Sequence, residues 1–82
     1  MDQQEALFVT FDEKTATIRD AITGGTVGSI SPPLFGDNYI TSANSDGAGN
    51  MITISTSNGD AFVYKRASPG SYGWGLFREY RR

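Results

Sequence analysis

"TATIRDAITGGTVGSIS", Thr15 to Ser31, decides how the rest of this chain is read. Thr15–Arg19 alternates, with Ala16 and Ile18 on one face and Thr15, Thr17 and Arg19 on the other. That is the period of two of a half-buried strand. Asp20–Gly25 follows as a turn. An Asp there accepts hydrogen bonds from backbone N–H groups just ahead of it, and glycines admit positive φ. Thr26–Ile30 then resumes as a short strand, weakened by Gly28. The unit is strand, polar turn, strand.

The same grammar extends in both directions. Upstream, "ALFVTF" (Ala6–Phe11) is aromatic and β-branched, as strands prefer. Leu7, Val9 and Phe11 share one face, and Ala6, Phe8 and Thr10 the other. Both faces are apolar enough that this strand is expected to be covered on both sides. Asp12–Lys14 is a short polar turn that makes a hairpin of it. Downstream, "SPPLFGDN" (Ser31–Asn38) interrupts the pattern, because Pro32 and Pro33 cannot donate to a sheet ladder. It reads as a connector, beside which Leu34 and Phe35 are expected to pack. Strand character returns at Tyr39–Ala43, Met51–Thr56, Ala61–Lys65 and Trp74–Tyr80. Asn44–Asn50 and Arg66–Gly73 are loops, and Asn58-Gly59 is a hairpin signal. On the last strand, strict alternation places Trp74, Leu76, Arg78 and Tyr80 on one face. No stretch carries a helical period. The chain is therefore expected to be all-β, with about seven short antiparallel strands. Two meander sheets are expected, residues 6–30 and 39–80, joined by the connector 31–38 within a single domain spanning 1–82. A small β-sandwich or barrel of the same strands is the alternative.

Composition narrows the chemistry. The chain has 82 residues, no Cys and no His. Disulfides, thiolate metal sites and the commonest general base are thereby absent. A core of this size is thin without a staple, so self-association or docking on a larger body is expected. The N-terminal residues show neither a basic segment nor an apolar one of signal-peptide length. No apolar run approaches the roughly 20 residues that span a bilayer. A soluble protein made in the cytoplasm without export, and without a membrane partner, is expected. Net charge is −2 but uneven. Residues 1–60 carry two basic side chains against eight acidic ones, net −6, and residues 61–82 carry five against one, net +4. An acidic body with a basic end suits head-to-tail association or a charged partner.

The strands also repeat. At an offset of about 46 residues, near the length of a propeller blade, Val9–Ser31 falls on Ser55–Phe77. Asp12-Glu13 then falls on Asn58-Gly59, Arg19 on Lys65, Ala21 on Ala67 and Gly24 on Gly70. The run "TIRDAITGG" (Thr17–Gly25) resembles the end of a WD-repeat β-propeller blade, with Asp, Ala, Thr and Gly in family-like order. Arg19 stands where that family has Trp, and its Gly-His dipeptide is absent. Three strands and then four amount to nearly two blades. The resemblance implies blade-like sheets whose open faces are completed by further copies or by a larger partner.

Candidate sites follow from these limits. Asn44, Asp46 and Asn50 surround a Gly-rich loop but bring one carboxylate where a calcium loop needs several. Gly24–Gly28 lacks the Lys and the helix of a phosphate cradle. No catalytic residue, metal or cofactor is expected. Tyr72, Trp74, Phe77 and Tyr80 crowd the C-terminus beside Arg78, Arg81 and Arg82, and aromatics with Arg are the residues of interface hot spots. The expected interface is Tyr72, Trp74, Phe77, Arg78, Tyr80 and Arg81, with Leu34 and Phe35 beside it. Trp74 is also expected to serve the core. The leading expectation is a non-enzymatic structural or assembly protein. In style it is similar to small phage virion components such as head-decoration or tail-adaptor proteins. The second is a carbohydrate-binding oligomer, similar to small propeller lectins, with Trp74 and Tyr72 as sugar platforms. Nucleic-acid binding ranks third, against the acidic balance.

Overall fold

The computed structural model describes residues 6–46, 50–68 and 73–82. In chain order the strands are β1 (Leu7–Phe11), β2 (Ala16–Asp20), β3 (Thr26–Ile30), β4 (Ile40–Ser45), β5 (Met51–Thr56), β6 (Ala61–Arg66) and β7 (Trp74–Tyr80). They form two antiparallel meanders, β1-β2-β3 and β4-β5-β6-β7, with no helix among the described residues.

The alternation read from sequence sets which side is dry. Leu7, Ala16, Ile18 and Ile30 of the first sheet join Ile40, Ala43, Ile52, Ile54, Phe62 and Tyr64 of the second in one core cluster. Ile18, Ile52, Ile54 and Phe62 are fully buried. A lone sheet cannot dry a residue on its own face, so the inner faces of the two sheets cover one another. Burial of each of these four contributes about 1.5–3 kcal/mol relative to exposure. The sheets also meet along one edge, where β1 runs beside β4. There Ile40 N–H donates to the Glu13 carbonyl at 2.9 Å, and Ser45 Oγ lies 3.4 Å from the Leu7 carbonyl.

The turns use the expected chemistry. Asp20 Oδ1 accepts from the N–H groups of Ile22 and Thr23 at 2.7 and 3.2 Å, and Gly24 has φ +77°. The Asn58-Gly59 turn takes a different form from the two-residue hairpin its dipeptide signals. Only Gly59 is left-handed, at φ +95°, and its N–H bonds the Thr56 carbonyl at 3.1 Å. A turn over Thr56–Gly59 with a following glycine bulge fits this geometry.

Three expectations are corrected. β1 is covered on one face only, since Phe8 is 40% exposed; no layer of described residues covers the outer side of its sheet. Phe35 is 70% exposed and does not pack, whereas Leu34 and Pro32 do turn inward. The expected single face of Trp74, Leu76, Arg78 and Tyr80 is split. Trp74 and Leu76 oppose Arg66 and Tyr64, while Arg78 and Tyr80 oppose Val63 and Ala61. The register slips between Val63 and Tyr64, with Phe77 as the extra residue on β7. Such a bulge inverts the alternation beyond it.

Candidate functional site

β7 is the free edge of the four-stranded sheet. Trp74 is half-buried and every residue from Gly75 to Tyr80 is exposed. Leu76, Phe77 and Tyr80 are 48%, 48% and 54% exposed. An edge strand offers unpaired N–H and C=O groups to another chain, and here apolar side chains line it as well.

The bulge decides what the edge displays. Phe77 sits between two cations, with Lys65 Nζ 5.0 Å and Arg78 Cζ 5.5 Å from its ring centroid. Both distances are within cation–π range. Lys65 lies opposite Met51 and Gly75 at the far end of β6 from the Ser57–Asp60 turn. Neither Lys65 nor Arg78 has a carboxylate partner among the described residues. A shallow, open groove of about 410 Å³ runs along this end, lined by Lys65, Arg66, Ala67, Gly75, Leu76 and Phe77.

The remaining expected interface residues divide. Trp74 serves the core: its indole lies against the backbone of Gly28 on β3 and faces the Arg66 guanidinium at 5.4 Å. Arg81 is held within the chain. It pairs with Glu79, reaches Asp60 Oδ2 at 3.5 Å, and stands over the rings of Phe62 and Phe35 at 5.7 and 6.0 Å. Tyr72 lies outside the described residues. Leu34 packs on the core, as the connector reading expected.

Sequence reasoning missed Lys65 and Asp60. Lys65 belongs to the patch because the bulge swings Phe77 toward it, and nothing in the sequence marks a bulge. Asp60 is 6% exposed and accepts from Arg82 N–H at 3.1 Å. The C-terminal arginines thus fold back onto the β5–β6 turn, where the Arg82 side chain covers Gly59.

The opposite pole is acidic. Asp12, Glu13 and Asp37 are exposed and are brought together because the β1–β2 turn docks on the connector through Ile40 N–H and Glu13. Lys14 is the one cation among them, its Nζ donating to the Asn38 carbonyl at 3.1 Å, so three carboxylates stand against one ammonium. Backbone N–H groups of Lys14 and Thr15 bond the Asp12 carboxylate and hold its pKa below the ordinary value. In the second Gly-rich loop, Asp46 Oδ1 accepts from Asn50 N–H at 3.0 Å, the work of a turn residue. No group of three His, Cys, Asp or Glu that could hold a metal occurs among the described residues. Nor is any helix among them long and apolar enough to cross a membrane.

Comparison with known proteins returns no match, whether to family models, to curated proteins or to solved structures.

Proposed function

We propose that this is a non-enzymatic structural or assembly protein that joins copies of itself, or a larger protein assembly, through the edge and outward face of β7. One observation carries the reading. Six consecutive residues of an edge strand are exposed, and Leu76, Phe77 and Tyr80 among them are each about half bare. A soluble protein seldom leaves a long apolar strand edge unguarded unless another chain uses it. The setting proposed is a phage particle, as a head-decoration or tail-adaptor component. Its support is compositional: a short, Cys-free, Gly-, Ser- and Thr-rich β chain. No observation favours a sugar platform, because the Trp74 ring is engaged by Gly28 and Arg66.

A photo-reactive amino acid in place of Phe77, introduced in the native cell, tests the reading. A discrete protein adduct is expected from position 77. The same group at Ile22, which is 73% exposed on the β2–β3 turn, serves as control and should give none. Absence of any adduct at 77 overturns the reading.

A further inference from the structure

We propose that the basic patch around Phe77 receives the acidic β1–β2 turn and connector of a second copy, so that copies join head to tail. This rests on β7 being the assembly edge. The patch holds two exposed-face cations, Lys65 and Arg78, on one half-exposed phenyl ring, with no carboxylate partner among the described residues. What completes it is an anionic group that can also lie on an aromatic face.

The chain itself supplies that group. Asp12, Glu13 and Asp37 form an exposed acidic pole beside the start of β4, where they outnumber the one cation among them, Lys14, three to one. The two poles lie toward opposite ends of the strands. Glu13 is beside Ile40, and Ile40 pairs with Thr56 at the Ser57–Asp60 turn. Lys65 pairs with Met51 at the other end. The strand that separates them, Met51–Thr56, spans about 17–20 Å at roughly 3.4 Å per residue. One copy therefore cannot close its own poles on each other, since charge attraction is screened beyond about 8–10 Å at ordinary salt.

Two-fold pairing of β7 with itself is the competing arrangement. It would bring the Lys65 and Arg78 cations of two copies onto one continued sheet face, which like-charge repulsion disfavours. A head-to-tail contact is heterologous and propagates into rings or filaments.

Sedimentation velocity of the full chain tests this with two surface double variants, Lys65→Glu with Arg78→Glu, and Glu13→Lys with Asp37→Lys. Circular dichroism verifies that both remain folded. In about 0.05 M salt the wild type is expected to associate with rising concentration, and about 1 M salt should weaken that association roughly tenfold or more. Each variant alone should be monomeric. Mixed, they should associate again, because each pole of one variant then meets an oppositely charged pole on the other. A wild type that stays monomeric in low salt overturns the inference, as does association that survives both charge reversals or a mixture that stays monomeric. A monomer whose position 77 still traps another protein leaves the β7 reading standing; no adduct at all removes that reading too.

Discussion

A Cβ built on Gly28 would lie 2.7 Å from Cζ3 of Trp74, so the indole of β7 occupies the space a side chain on β3 would need. Gly28 stands opposite Ile18 on the dry side of its sheet. The missing side chain is what allows the two sheets to be bridged at this point. Gly28→Ala is expected to destabilise by about 1–3 kcal/mol through overpacking. A lowered midpoint in urea, with a shifted Trp fluorescence maximum, is the readout. Trp74→Leu in the same chain should recover part of the loss, because neighbouring substitutions are not additive. Unchanged stability of Gly28→Ala would contradict this packing.

Asp60 is buried, and among the described residues its carboxylate is answered only from the C-terminus, by Arg82 N–H and Arg81. Asp60→Ala removes the acceptor that anchors the C-terminus to the turn, while water can satisfy the exposed donors, and is expected to cost about 1 kcal/mol. Removal of Arg81 and Arg82 should cost a similar amount. The two changes combined should cost less than their sum. Equilibrium unfolding of the three variants decides the matter; strict additivity would show that the tail and Asp60 act separately.

The Asp20 carboxylate organises the β2–β3 turn by accepting from two N–H groups. Asp20→Ala should lower stability by about 1 kcal/mol, in the range of lost side-chain caps. Faster amide exchange at Ile22 and Thr23 is the specific sign. Protection unchanged at both positions would refute it.

Stability should bend at both ends of the pH scale. Burial, and then the nearby Glu79 charge, push the Tyr64 hydroxyl above its ordinary value of 10.0. The folded chain keeps this proton where the unfolded chain loses it. The stabilisation is therefore present below pH 10 and lost as pH rises from there through the folded pKa. Tyr64→Phe should flatten the alkaline limb. Asp12 has the opposite sense: its pKa is lowered from 3.8 by its backbone hydrogen bonds. Its contribution is present above that value and fades as pH falls through the folded pKa. Asp12→Asn should flatten the acid limb, and an unaltered limb in either variant would contradict the assignment.

Much of the fold was legible because its strands alternate cleanly. β3, β5 and β7 begin and end where residue pattern places them, and the two-sheet division falls at Pro32-Pro33. Parity was legible only as far as one residue opposes one residue. At Val27, between Ile40 and Ser42, and at Phe77, a bulge breaks that assumption. A bulge is fixed by the partner strand, so β7 taken alone could not show that Phe77 turns toward Lys65. Arg66 looked like a loop residue from its neighbours Ala67 and Ser68, yet it lies in β6 and is buried against Trp74. Charge asymmetry was visible in composition, whereas the pole of Asp12, Glu13 and Asp37 depends on the connector docking beside the first hairpin.

Each meander pairs only neighbours in sequence, and the β1–β4 seam is what carries one sheet to the other. This has a kinetic consequence. Each sheet can zip hairpin by hairpin, with short loops to close at each step, and the larger loop-closure cost is deferred until β1 meets β4. The rate-limiting event expected is the docking of two partly formed halves. Destabilising changes at the Glu13–Ile40 seam should therefore slow refolding, while changes at the Asn58-Gly59 turn should act earlier on the route.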